Sequence, residues 1–167
     1  KIKTEVIDNF LPDNEFKIIR DRISGSKFPW FYKKGVAYTD SNDGIYFTHM
    51  FFDDFDRKNE DFPLIMPILK KLNPKALIRI KANCYLRTLK LIKHGLHVDY
   101  KWGPTNGMVF SINDCDGGTF LSEKNQLIAS KANRAIVFDA TLGHASTSCT
   151  DKDVRLNINF NYFGDGD

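Results

Sequence analysis

His97-Val98-Asp99 sets an imidazole and a carboxylate two residues apart. On a strand such side chains point the same way, so both can bind one metal ion. His144 follows at the head of a second strand-like segment. Two imidazoles and one carboxylate form a facial set that leaves coordination positions open on Fe(II). Open positions let a co-substrate and oxygen reach the metal. Arg155 begins the next strand-like segment and would aim into the same cavity as His144. Its planar guanidinium suits the far end of a buried dicarboxylate. Asn157 shares its face and can add a donor. The chain has 4 histidines, so the pattern is not drawn from many options. No phosphate-binding loop, dinucleotide fingerprint or HExxH motif is present.

Elements must hold these groups. Phe16, Ile19 and Ile23 recur at helical spacing after Leu11-Pro12-Asp13, with Asp13 as the expected N-cap. A second helix is expected over about 61–72, ending before Asn73-Pro74. Short strands are expected at 30–33 and 45–52. From Ala76 onward the pattern predicts strands at 76–88, 96–100, 105–113, 118–123, 126–130, 134–139, 144–149 and 154–162. Such regular spacing predicts a mainly β fold with flanking helices, a barrel or double-sheet jelly roll. In 78–88 one parity is Ile78, Ile80, Ala82, Cys84, Leu86 and the other is Arg79, Lys81, Asn83, Tyr85, Arg87. In 155–160 Leu156, Ile158 and Phe160 alternate with Arg155, Asn157 and Asn159. Each strand thus has a greasy and a polar face. The polar face either meets solvent or lines a wet interior. The asparagines favour the interior, since asparagine is depleted in strands that give it no partner.

The 167 residues form one expected domain, with 1–75 supporting a core at 76–163. A net charge of +3 is too weak to argue for nucleic acid or an anionic membrane. Apolar runs are too short to span a bilayer. Cys84, Cys115 and Cys149 lie far apart, which fits a reducing compartment. No leader pattern is visible, and because the chain begins at Lys1 rather than Met, a removed leader stays open.

The residues from Arg79-Ile80-Lys81-Ala82-Asn83-Cys84-Tyr85 through His94-Gly95-Leu96-His97-Val98-Asp99, Asp116-Gly117-Gly118-Thr119-Phe120, Asn133-Arg134, His144 and 154–162 resemble the Fe(II)/2-oxoglutarate-dependent dioxygenases. The resemblance covers about half the chain, roughly 79–162, by its motifs. The prolyl-4-hydroxylase-like branch is most similar, and within it small oxygenases of marine cyanobacterial phages and marine bacteria. This implies a double-stranded β-helix. It also implies a hydroxylase using Fe(II), 2-oxoglutarate and O2, with His97, Asp99 and His144 as iron ligands and Arg155 on the distal carboxylate of 2-oxoglutarate. Tyr85 matches a tyrosine that hydrogen-bonds 2-oxoglutarate, and Asn83 forms an Asn-x-Tyr motif with it. Prolyl hydroxylases commonly carry Lys at the Arg155 position and Gly near Asn133. The second departure exchanges one turn-forming residue for another. The expected location is cytoplasmic, that of a host cell if the chain is phage-encoded.

Tyr100 and Trp102 follow the HxD pair directly and are expected either at the substrate rim or packed on the barrel end. Phe28, Trp30, Phe31, Tyr32, Phe47, Phe51 and Phe52 divide between core and an aromatic groove, which would suit an extended peptide, proline first. His94 is expected in a loop near the mouth and His49 in a structural role. Asp53, Asp54, Asp56 and Lys33-Lys34 read as solvated surface. Ser146 and Ser148 have no base in sequence and are poor nucleophiles. Two rivals remain. Asn83-x-Tyr85 also occurs in oxidative nucleic-acid demethylases. A cupin-like metal module without catalysis is the other, although it would need no carboxylate clamp.

Overall fold

The computed structural model describes residues 2–39 and 41–164. An α-helix α1 (Asp13–Ile23) and a short helix α2 (Met66–Leu72) lie among eleven strands. The strands are β1 (Glu5–Ile7), β2 (Phe31–Lys34), β3 (Ile45–Asp53), β4 (Asp56–Arg57), β5 (Ala76–Leu86), β6 (Asn106–Ser111), β7 (Gly118–Leu121), β8 (Gln126–Ala129), β9 (Arg134–Asp139), β10 (His144–Ser146) and β11 (Val154–Phe163). The major sheet runs β1-β9-β6-β11-β5-β3-β2, with β4 hanging on β3. The minor sheet runs β10-β7-β8. Every pairing between strands is antiparallel. This is a double-sheet jelly roll, as the strand spacing predicts, and the double-stranded β-helix that the resemblance implies. Among the described residues no helix is long and apolar enough to cross a membrane.

Parity sorts the two faces of the major sheet. Ile80, Ala82 and Cys84 of β5, Met108 and Phe110 of β6, and Leu156, Ile158 and Phe160 of β11 form one buried apolar layer. Phe16, Ile19 and Ile23 of α1 and Ile68 and Leu69 of α2 close over it. Phe16 meets Phe110 edge-on at 6.0 Å between centroids. Each such side chain stabilises the fold by about 1.5–3 kcal/mol through burial. The opposite face turns inward, towards the minor sheet. There Val109, Ile136 and Phe138 join Leu121 and Ile128 in a second, smaller apolar cluster.

Three expectations need correction. The helix over 61–72 is broken: a 3-10 turn at Phe62–Ile65 precedes α2. Pro67 lacks the N–H that a continuous helix would use, so α2 can hold it only in its first turn. Asp13 is the first helical residue rather than the cap, and Pro12 supplies the carbonyl for Glu15 and Phe16. The strand expected at 96–100 is absent. That segment meets β10 through isolated bridges only, Lys93↔Thr147 and His97↔His144. Three residues separate the bridges on one side and two on the other, so a bulge interrupts the ladder. The short strands β1 and β4 carry no alternation that announces them.

Asn133 is more than a turn residue. Its φ of 62° is left-handed, and it is buried. Its amide accepts from Leu11 N–H at 2.9 Å and donates to Leu11 C=O at 2.8 Å. It therefore pins the segment entering α1 to the turn before β9. Glycine in its place would keep the backbone and lose both bonds. Asn133→Gly is expected to lower stability by about 1–3 kcal/mol. Asn133→Ala should cost roughly a further 1 kcal/mol for the left-handed backbone. Urea denaturation of the two variants checks both the loss and its order.

Candidate metal centre

His97, Asp99 and His144 come together. One ligand atom from each lies within 4.8 Å of the others. His144 Nε2 is 3.4 Å, and His97 Nε2 3.8 Å, from Asp99 Oδ1. The bulge that replaces the expected strand turns His97 to face His144. Their main chains exchange two hydrogen bonds, at 3.0 and 2.9 Å. Asp99 is held by its own N–H on Ala140 C=O at 3.0 Å. Gly95 permits the close approach at the bulge: a Cβ there would stand 2.8 Å from Ala37 Cβ.

The rings are set for a metal. His97 Nδ1 lies 3.1 Å from Gly95 C=O and His144 Nδ1 3.0 Å from Leu142 C=O. A carbonyl only accepts, so each Nδ1 carries a proton, and a metal that displaces the proton from Nε2 finds that lone pair facing it. Asn161 donates to Asp99 Oδ2 at 2.8 Å, which leaves Oδ1 turned towards the histidines. Burial pushes the Asp99 carboxyl up, but the hydrogen bond and charge of His144, the Arg79 charge and the Asn161 bond outweigh it. The group sits well below the usual carboxylate range. Burial works against the charge on His144, and Asp99 beside it raises the ring overall. Burial and the neighbouring His144 lower His97. The Phe138 ring packs 4.8 Å from His144 and backs it with apolar surface. An ordered carboxylate and two imidazoles with converging lone pairs fit a divalent transition metal.

The polar faces of β5 and β11 line the interior, as the asparagines suggest. Tyr85 pairs with Arg155, Asn83 with Asn157, Lys81 with Asn159 and Arg79 with Asn161. Asn83 donates to Asn157 at 2.8 Å. A cavity of about 490 Å³ opens between the sheets. Its wall includes all three triad residues, Asn83, Tyr85 and Asn157. Arg155 lies behind this wall, 1% exposed. It donates to Thr119 Oγ1 at 3.1 Å and Thr147 C=O at 3.2 Å, and its Nε has no partner. Its guanidinium sits over the Tyr85 ring, 5.3 Å from the centroid. No carboxylate among the described residues is within ion-pair reach of it.

The other singled-out side chains divide between expected and unexpected places. Tyr100 and Trp102 do not line the cavity. They pack on each other at 5.0 Å, and Trp102 stacks on Phe163 at 5.7 Å, at the barrel end. His94 is buried rather than at the mouth. It stacks on Tyr85, which stacks in turn on Tyr46. Burial holds His94 at about 4, so the ring is neutral. His49 is buried against Pro29 C=O and Phe28, a structural place. Phe28 and Phe51 fill the core, while Phe31 and Tyr32 are exposed on β2. Asp53 borders the cavity half-buried, and Lys33 borders it while staying exposed on β2 as expected. Sequence reasoning misses Thr119, which shares the Leu121 parity on β7. It also misses Tyr38, whose ring stands 6.1 Å from His97 at the rim. No periodicity marks Tyr38. It is fixed by Asp43, which accepts from Val36, Ala37 and Gly95 N–H and so ties the 36–43 loop to the bulge.

No family model matches the sequence, and no curated protein is similar to it in sequence. Solved structures are similar in fold. An oxidoreductase of the 2OG-Fe(II) oxygenase family from Burkholderia pseudomallei shares 13% identity at a TM-score of 0.70, over 96% of this chain and 84% of that one. A prolyl hydroxylase from Trichoplax adhaerens, in complex with a hypoxia-inducible-factor degradation-domain peptide, shares 14% at 0.68, over 96% and 83%. The viral collagen prolyl hydroxylase of Paramecium bursaria Chlorella virus-1, in its 2OG complex, shares 17% at 0.59, over 96% of both chains. The chain thus has the double-stranded β-helix fold found in 2OG-Fe(II) oxygenases, prolyl hydroxylases among them.

Proposed function

We propose that the chain is an Fe(II)- and 2-oxoglutarate-dependent dioxygenase that hydroxylates a C–H bond, a peptidyl side chain with proline first, releasing succinate and CO2. The observation that carries this reading is Arg155. A buried guanidinium without a carboxylate is costly. One beside a His-Asp-His cluster calls for a ligand that brings a carboxylate of its own. A metal-only module would leave that cation without purpose. The prolyl choice draws on the prolyl hydroxylases of similar fold.

In this reading His97, Asp99 and His144 hold Fe(II). When bound, iron, 2-oxoglutarate and O2 supply the oxidising power for the C–H bond. The chain's own residues bind, orient and exclude water. Arg155 takes the distal carboxylate of 2-oxoglutarate. Thr119 accepts from Arg155 and so has its hydroxyl proton free for the same carboxylate. The Tyr46–Tyr85–His94 stack fixes the Tyr85 hydroxyl, which adds a neutral donor. Asn83 and Asn157 are bonded to each other, so they keep the two strands in register and the pocket floor rigid. Asn161 holds Asp99 by its outer oxygen. The apolar cluster around Phe138 keeps water from the back of His144.

Succinate release from 2-oxoglutarate with Fe(II) tests the whole reading. It is screened with proline-containing peptides and, in parallel, methylated oligonucleotides. A gain of one oxygen on peptide is expected. Demethylation with untouched peptide would move the substrate to nucleic acid.

Metal binding is followed by calorimetry. Asp99→Ala is expected to abolish tight binding, because it removes the only anionic ligand. Asn161→Leu keeps all three ligands and should weaken the metal roughly 10–100-fold by freeing the carboxylate. Unchanged affinity in both variants would dismiss the triad.

Arg155→Ala is expected to leave the metal nearly intact and to weaken 2-oxoglutarate by roughly one to two decades, the loss of charge-assisted bonds worth about 1.5–3 kcal/mol. Arg155→Lys keeps the charge and should recover part of it, and Tyr85→Phe should cost less than either. Normal 2-oxoglutarate binding by a folded Arg155→Ala protein would put the clamp elsewhere.

A further inference from the structure

Beyond the triad and Arg155 the cavity lining carries further cations. Lys33, Arg79 and Lys81 line one wall there. Lys81 donates to the Tyr46 hydroxyl at 3.2 Å, and no carboxylate among the described residues pairs with it. Lys33 likewise has no ion pair among them. Arg79 reaches Asn161 Oδ1 at 3.2 Å and lies 3.6 Å from Asp99, while its buried Nε has no partner. Among the described residues the lining holds two carboxylates, Asp53 and Asp99. Asp99 serves the triad and Arg79, so among the described lining residues Asp53 is the carboxylate left to face Lys33 and Lys81. Burial and the neighbouring Arg79 bring the Lys81 ammonium down to about 8. An anion set beside it would reverse that pressure.

This wall is separate from the Arg155 clamp. The register pairs Tyr85 with Arg155, and Lys81 stands four residues back along β5. At about 3.3 Å per residue that is roughly 13 Å. The four C–C bonds of 2-oxoglutarate span at most about 6 Å. A co-substrate held at Arg155 is therefore too short to follow β5 as far as the Lys81 backbone, and the Tyr46 and Tyr85 rings stack between the two cations.

We propose that this wall seats an oxyanion carried by the primary substrate, a carboxylate or a phosphate held by Lys81 with Lys33 and Arg79 beside it. The inference rests on the reading above, in which the triad and Arg155 are taken up by metal and 2-oxoglutarate. It narrows the substrate class: the molecule presented to the iron is acidic near its reacting carbon. A proline peptide would meet this through a neighbouring acidic side chain or a free C-terminus. The chain's modest net charge is no objection, because the cations are local to the cavity.

The test uses ¹⁵N-labelled full chain loaded with Zn(II) and 2-oxoglutarate, in a buffer free of phosphate. Sodium phosphate, sodium acetate and acetamide, the neutral counterpart of acetate, are titrated separately. Saturable amide shifts around Met50 and Lys81 with at least one anion, and none with acetamide, are expected. Phosphate alone or acetate alone identifies which oxyanion the wall prefers. Lys81→Met should weaken the anion at least about tenfold, and Lys81→Arg, which keeps the charge, far less. Lys33→Ala, on an exposed strand, should cost about two- to threefold. No saturable shift with either anion at tens of millimolar overturns the proposal. So does acetamide binding as well as acetate, or the anions displacing 2-oxoglutarate. Calorimetry of 2-oxoglutarate on the same zinc-loaded protein is the separate control. Failure there strikes the co-substrate reading, while the anion titration repeated without 2-oxoglutarate still judges this wall.

Discussion

A row of polar side chains buried down the middle of a sheet is stable only if its members find partners. That constraint governs this fold. Arg79, Lys81, Asn83 and Tyr85 on β5 face Asn161, Asn159, Asn157 and Arg155 on β11, all pointing between the two sheets. Part of the row satisfies itself through Asn83 and Asn157, or through Asn161 and Asp99. Part does not. Asn83 Oδ1, Asn159 Oδ1 and Arg155 Nε are buried and unpaired. A sheet built for stability alone would put leucine and valine there, as β6 and β9 do with Val109 and Ile136. The unsatisfied groups therefore mark where the fold gives up stability for binding.

The same constraint explains the thin second layer. The minor sheet has three short strands, too few to cover the inner face of the major one. Its gap is filled by the irregular 93–99 strap, which bonds to β10 without forming a regular strand. The bulge is functional in effect. A regular ladder through Lys93↔Thr147 would set Leu96 opposite His144. The extra residue instead puts His97 there. The strap is in turn fixed by Asp43, whose carboxylate takes the Ser41 hydroxyl and three backbone N–H groups and lies well below the usual range because those bonds outweigh its burial. Rim loop, strap and His-Asp-His triad are thus one connected unit.

What is legible in the sequence follows from how local each signal is. The parity of β5 and β11 is written in eight or so consecutive residues each, so the inward polar face can be read from those residues alone. The triad is legible because histidines are few and the HxD spacing keeps its meaning on a bulge as well as on a strand. The bulge itself is not, since it depends on a register between residues far apart in sequence. Pro67 does announce a break within the second helix, a local signal that outweighs the apolar spacing around it. Tyr38 and Thr119 depend on a loop and a minor strand meeting the major sheet, and no local pattern encodes that. The rim role for Tyr100 and Trp102 rests on proximity in sequence to Asp99. Two residues suffice for the chain to turn away, and Phe163 at the end of β11 offers Trp102 a better apolar partner.

Charge teaches a related point about scale. A net charge of +3 over 167 residues is uninformative about partners, because surface charges are scattered and screened within about 8–10 Å by salt. Charges lining a cavity between two sheets are screened much less, and low-dielectric walls focus their field. Three cations on one wall and a guanidinium behind another therefore act on a bound molecule far more strongly than the overall balance indicates. The two sets are also spaced along one strand, because Tyr85, which pairs with Arg155, and Lys81 stand four residues apart on β5. In the proposed reading the interior selects by the spacing of its charges as well as by their sign.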